Sequence, residues 1–387
     1  MAIDDQGNIY VAGALEQPIA LGGPSFSPAG ADWFVASYDS LGHHRWSHVY
    51  GGPGLDGVWS MSVGSGVVSL TGLIHGHADF GSVSYDLPTS GTNQVLLSLD
   101  ANTGAERWSR HLAGTARGEI AIDDLGHVFL LTVADGVVDL GRGPIGVSGD
   151  TRLVFASFGV DGVTRWARAG GVPEGHAASL YYNMAPPVVR GVDVVFAMTT
   201  TLDPADWGGG SPVAGGPVVL VTYGTDTGAY RSALRLGSTV GTYVRSAAPH
   251  GVETMIAGYQ TANDIASSAG ASQYVANVGE SLLSARSATY EIQRLAAQSD
   301  GRLIVGGRTG SIAHFGGSVL DGSTSFVGVL DGEGNPLMAR AIPGGGGLPT
   351  CVAVRDNVVV VALEINASTD VGAGRCDGSI LVAAFQL

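Results

Sequence analysis

Apolar residues alternate with small or polar ones in runs of five to eight along this chain, and each run ends at Gly, Asp or Asn. That is the period of short β-strands joined by tight turns. The runs recur as a unit of roughly fifty-five residues, in about seven copies. The second strand of each copy is Asn8 to Gly13, Val67 to Gly72, Val128 to Leu131, Val194 to Ala197, Met255 to Gly258, Leu303 to Gly307 and Val358 to Val361. A loop triplet follows each one: Ala20-Leu21-Gly22, Asp79-Phe80-Gly81, Asp139-Leu140-Gly141, Asp206-Trp207-Gly208, Asp264-Ile265-Ala266, His314-Phe315-Gly316 and Asp370-Val371-Gly372. Third strands such as Trp33 to Asp39, Gln94 to Asp100 and Leu153 to Phe158 come next. A Gly turn and an aromatic fourth strand close the first three copies, with Gly42, Gly104 and Gly162 each four residues ahead of Trp46, Trp108 and Trp166.

Four strands per repeat is the arithmetic of a radial propeller. The expected fold is all-β: a seven-bladed β-propeller with four antiparallel strands per blade and an incomplete last blade. Because one blade cannot bury both its faces, the repeats predict a single domain over residues 1–387. Approximate blades are 1–52, 53–114, 115–171, 172–237, 238–288, 289–344 and 345–387, with 171–187 the least regular junction. Glu280 to Ala297 has helix-compatible content but aligns with a fourth strand followed by the next first strand. Trp46, Trp108 and Trp166, at one repeat position, are expected to be structural and to fill equivalent gaps between blades.

The stretches Ala2 to Gly13 and Ile19 to Gly52 resemble the bacterial seven-bladed β-propeller repeats of secreted and cell-surface proteins. Leu97 to Trp108 is similar to the tryptophan-docking repeat of quinoprotein propellers and outer-membrane assembly scaffolds. The first resemblance covers nearly the whole chain and the second covers one blade; neither transfers a catalytic residue. The chain departs from the tryptophan pattern at Gly228-Ala229-Tyr230, at Ser281 to Ser287 and at Leu337-Met338. No cofactor-lining set stands out, so no cofactor is expected. The resemblance implies an extracytoplasmic location, secreted, periplasmic or on the cell surface.

Sixty-one glycines and a charged fraction of only 14% suit many tight turns, where Gly supplies positive φ. All 19 basic residues are arginine, against 34 acidic ones, for a net charge of -15. Lysine Schiff-base chemistry is therefore excluded, and an acidic surface without a basic stripe argues against nucleic acid. There is neither a signal-peptide pattern nor an apolar run long enough to insert in a membrane. Ala2 to Asp5 matches Ala121 to Asp124 inside a first strand, and Ile380 to Gln386 reads as a third strand. A piece of a larger chain is the favoured reading of these ends, over a three-stranded last blade.

Candidate chemistry is sparse. His75 and His77, alternate residues on an extended strand, could present imidazoles to one metal ion with Asp79; an ordinary solvent-facing loop is the alternative. Cys351 and Cys376, both in the last blade, fall on one face of the ring. A disulfide there is feasible if the loop folds back, and would contribute roughly 3–4 kcal/mol in the chain-entropy model; two separate thiols are the alternative. The Asp residues of the loop triplets can cap their own turns. A rival reading makes the loop face near Asp206 and Trp207 a ligand surface.

Three functions are open at this level. The first is a non-enzymatic scaffold for a protein or glycan. The others are an enzyme of lyase or glycoside-processing type at the axial funnel, and a structural spacer of a larger surface protein. Charged residues converging on the axis would favour the enzyme.

Overall fold

The computed structural model describes residues 1–89, 93–170, 183–200, 205–211, 213–236, 242–251, 253–260, 272–278, 290–322, 324–342, 349–355, 358–364, 369–370, 375–376 and 380–386. Its main elements are antiparallel meanders, each named here by its first residue. The Ala2 sheet runs Ala2–Ile3, Ile9–Leu15, Asp32–Tyr38, His44–Tyr50, and the Gly57 sheet Gly57–Gly64, Val67–Leu73, Asn93–Asp100, Glu106–Ala113. The Thr115 sheet holds Thr115–Ile122, Val128–Asp135, Thr151–Phe158 and Thr164–Gly170. The Val188 sheet holds Val188–Arg190, Asp193–Thr199, Val218–Gly224 and Tyr230–Leu236. The Tyr290 sheet holds Tyr290–Ala297, Leu303–Thr309, Ser325–Leu330 and Pro336–Ile342.

The expectation of seven blades, four-stranded except for an incomplete last one, is corrected by this topology. Among the described residues, five blades of four antiparallel strands each are formed. Two further sheets have three strands among the described residues: Thr242–His250, Glu253–Gln260, Ser272–Val278 (the Thr242 sheet) and Pro349–Arg355, Val358–Glu364, Ile380–Gln386 (the Pro349 sheet). The marker triplet reports the hairpin between second and third strands and carries no information about a fourth. Tyr290–Ala297 is a strand. The rest of the helix-compatible segment, the degenerate stretch Ser281 to Ser287 and most of the 171–187 junction lie outside the described residues.

Successive first strands pack side by side, and Ala2–Ile3 meets Pro349–Arg355, so the inner strands close a ring. Middle strands are buried on both faces, as in Val128–Asp135 and Asp32–Tyr38, because each is covered by a neighbouring sheet on either side. One apolar cluster joins Trp33 and Val35 to Val68 and Leu70; another joins Phe129 and Phe155 to Phe196 and Tyr223. Val360 sits with Ile9, Val11 and Phe34, so the same packing seals the ring where the chain ends meet.

The tryptophans lock neighbouring sheets together. Trp46 Nε1 donates to the Ala101 carbonyl (3.0 Å), Trp108 Nε1 to Val160 (3.1 Å) and Trp166 Nε1 to Thr225 (2.9 Å), each acceptor belonging to the following sheet. Their rings lie flat against the turn glycines Gly104, Gly162 and Gly228, where a Cβ would come within 2.7, 2.7 and 2.5 Å of the indole. Gly in these turns therefore serves two ends: it takes a positive φ and leaves room for the indole of the preceding sheet.

Candidate functional site

The loop between second and third strands folds into a two-stranded ribbon in several sheets, as in His77–Asp79 with Ser84–Asp86 and Val138–Asp139 with Pro144–Ile145. Its triplet is a self-contained turn. Asp139 Oδ1 accepts the amides of Gly141 (2.7 Å) and Gly143 (3.1 Å), and Asp206 Oδ1 those of Gly208 (2.8 Å) and Gly210 (3.1 Å). Asp79 accepts Gly81 N–H at 2.8 Å. The apolar residue points inward, with Phe80, Leu140, Trp207 and Phe315 all buried. Trp207 offers no face to a ligand; it packs against Phe155. Asp264-Ile265-Ala266 and Val371-Gly372 lie outside the described residues.

His75, His77 and Asp79 are engaged separately. His75 Nδ1 bonds the Leu55 carbonyl (2.8 Å) and His77 Nδ1 the exposed Asp86 carboxylate (2.7 Å). Among the described residues, no three His, Cys, Asp or Glu side chains form a group fit for a metal. Cys351 Sγ donates to the Met1 carbonyl oxygen at 3.1 Å; the side chain of Cys376, its expected partner, lies outside the described residues. Among the described residues, no helix is long and apolar enough to cross a membrane.

Charged side chains do gather on the inner strands, and a backbone device without a sequence signature places them. A register shift interrupts the first strand of several sheets: at Trp59, at Arg117 and Gly118, at Arg245 and at Gln293. Such bulges break the two-residue alternation and re-aim side chains. After two of them, a serine ties one inner strand to the next: Ser60 Oγ accepts the Ile120 amide (3.2 Å) and Ser246 Oγ the Leu295 amide (3.1 Å).

Beside these ties, Glu119 is enclosed by protein, with only a partial opening. Burial pushes its carboxyl up to about 7, while the charge of Arg294 and a hydrogen bond from Ser60 pull the other way. Arg294 comes from the Tyr290 sheet, on the far side of the ring from Glu119. Higher on the same inner strands, Glu291 takes Arg245 at 2.6 Å, Arg308 at 3.1 Å and Gln293 at 2.6 Å, and the Arg245 guanidinium lies 4.3 Å from the Tyr259 ring centre. Of these contacts, the Arg245–Glu291 pair binds the Thr242 sheet to the Tyr290 sheet.

The opposite end of the ring carries the hairpin turns, between first and second and between third and fourth strands. Turn tips are ordinarily Gly, Asn, Asp or Ser. Here several are apolar and open to solvent: Leu125 (68%), Val160 (50%), Val163 (57%) and Val192 (69%). The framework holds these tips in place. Val160 is anchored through its carbonyl by Trp108, and its side chain lies 3.2 Å from the Cβ position of Gly126, next to Leu125. The Val192 carbonyl takes the Thr225 amide (2.9 Å), and Thr225 holds Trp166. Ser65, at a positive φ of 50°, donates to the Asp124 carbonyl, fixing the Leu125 turn to the Gly57 sheet. Exposed carboxylates at Asp124, Asp161 and Asp226 rim the tips. Propensity reading assigns these turns to polar residues, so only their exposure in the fold brings the apolar tips to notice.

No family model and no curated protein matches the chain. Solved structures do. The β-propeller domain of the Trilobed protease from Pyrococcus furiosus, described as having an open velcro topology, aligns at 11% identity and a TM-score of 0.50, over 100% of this chain and 93% of that one. BamB from Moraxella catarrhalis aligns at 15% identity and 0.46, over 91% and 95%. A PL25 ulvan lyase aligns at 11% identity and 0.49, over 100% and 90%. The likeness to the protease domain shows the fold, a β-propeller, and carries nothing about activity.

Proposed function

We propose that the chain is a non-enzymatic scaffold that binds a protein partner through the hairpin-turn end of its Thr115 and Val188 sheets. The observation that carries this reading is the set of exposed apolar tips Leu125, Val160, Val163 and Val192, held by tryptophan docking and rimmed by carboxylates. Exposed apolar groups on a rigid frame with a polar rim suit protein association. The acidic rim selects a partner whose contact surface is apolar at its centre and arginine- or lysine-rich at its edge. Contact thus shifts from the marker loops to the other end of the ring. A single domain over 1–387 is part of this reading, supported by the closure of Ala2–Ile3 on Pro349–Arg355. An extracytoplasmic setting is supported by the repeat resemblance to secreted and surface proteins.

The test is crosslinking mass spectrometry in native extracts with wild type and with a Leu125→Asp, Val163→Asp variant of unchanged Tm. Partner crosslinks should cluster on the turns and vanish in the variant. Crosslinks that persist, or that cluster on the marker loops, refute the assignment.

A second reading has one observation behind it. A carboxyl pushed up to about 7 by burial, and acted on by the charge of Arg294 inside a ring, is the kind of group that performs general acid–base chemistry. Ligand-observed NMR with a panel of acidic oligosaccharides should then show binding that is lost in Glu119→Gln. Silence across the panel removes the axial enzyme.

A further inference from the structure

We infer that Asp32 and Asp56 form a binding site for a hard divalent cation of the calcium type, at the corner where the Ala2 sheet hands over to the Gly57 sheet. Asp32 opens the third strand of the first sheet, and Asp56 immediately precedes the inner strand of the second. Their side chains are buried, at 5% and 3% exposure. Carboxylates are almost never so buried without a counter-charge or a full set of donors.

The donors present fall short. Asp32 Oδ2 accepts the Ala29 amide (3.1 Å), and Asp56 accepts the amides of His75 (2.7 Å, Oδ1) and Gly52 (3.3 Å, Oδ2). Asp32 Oδ1 is buried and accepts no hydrogen bond. It shares a neighbourhood with the second carboxylate: the Cβ position of Gly51 lies 2.5 Å from Asp32 Oδ1 and 2.8 Å from Asp56 Oδ2, so both oxygens face the Gly51 methylene. The two oxygens therefore lie no more than about 5 Å apart, the separation that one ion with Ca–O bonds of about 2.3–2.6 Å spans.

The next corner is different. Around Asn93 and Thr115 the buried polar groups are neutral and satisfied, with Asn93 Nδ2 on the Pro88 carbonyl (2.8 Å) and Thr115 Oγ1 on that of Leu112 (2.7 Å). Corner geometry therefore does not require carboxylates; the Ala2–Gly57 corner alone combines two of them with an unsatisfied oxygen among these compared groups. A calcium-type ion takes six to eight oxygens, so carbonyls and water complete the shell. This site is separate from the His75, His77, Asp79 grouping, whose imidazoles are bonded elsewhere.

Calorimetric titration and thermal unfolding of the EDTA-stripped full chain, with Ca²⁺ and with Mg²⁺, test the assignment. One Ca²⁺ should bind per chain, and saturation should raise Tm by about 2–4 °C. Asp32→Asn, which places at this corner the residue type that Asn93 supplies at the next, and Asp56→Asn should each abolish binding and the shift. Without metal both variants should unfold at or above the wild-type temperature, because each removes a buried repulsion. Absence of heat and shift in the wild type overturns the site and leaves a shared proton as the neutralising group. Calcium binding that survives in both variants also overturns it.

Discussion

Alanine at Gly228 and alanine at Gly42 make the same chemical change at the same turn position, and the structure predicts unequal costs. Both glycines have positive φ, 62° and 85°, so each substitution carries the left-handed penalty of about 1–2 kcal/mol. At Gly42 nothing lies within 4 Å of the new methyl, so the cost stops there. At Gly228 the methyl would sit 2.5 Å from Trp166 Cδ2 and 2.6 Å from Cε3, and neither the buried indole nor its bond to Thr225 can yield easily. Overpacking of this kind adds about 1–3 kcal/mol. Gly228→Ala should therefore lower Tm by several degrees more than Gly42→Ala in scanning calorimetry. Trp166→Ala alone should cost about 3–5 kcal/mol, and in that background Gly228→Ala should fall back to the Gly42→Ala value. Equal losses at the two glycines, or additivity with Trp166→Ala, would refute the view that indole docking joins these sheets.

Three further outcomes follow from particular groups. Glu119 binds its proton more tightly folded than unfolded, its carboxyl rising from 4.5 to about 7, so stability should be highest below pH 4.5 as far as this group is concerned and fall as pH rises to 7. Urea titrations at several pH values should show that slope, at most about 1.4 kcal/mol per unit, vanish in Glu119→Gln. Glu291→Gln leaves Arg245 and Arg308 without their shared carboxylate; a loss of up to ~3 kcal/mol should appear, with faster hydrogen exchange in Thr242–His250 and Tyr290–Ala297. Asp206→Ala removes the acceptor of two turn amides and should cost about 1–2 kcal/mol by thermal unfolding, whereas Asp161→Ala at an exposed tip, with a single turn amide on it, should cost less.

Much of the architecture is local in origin and could be read from the chain. Alternation and turn residues are properties of five to ten neighbours, so the strands, the Asp-capped triplets and the Gly-x₃-Trp turns follow from the sequence alone. What faces what depends on closure of the ring, which no local pattern encodes. The marker triplet carries no signal for a fourth strand, and the repeat predicted seven blades with only the last incomplete where five of four strands are formed among the described residues. Trp207 reads as a possible ligand contact in a loop and is buried once the neighbouring sheet covers it. Glu119 and Arg294 are 175 positions apart, and only the ring brings their charges to bear on one another. Asp32 and Asp56 likewise belong to different sheets, and their carboxylates converge because the Gly51–Gly54 loop turns the chain back between them. Short-range propensity and period set the elements; burial, exposure and the meeting of charges come from long-range packing.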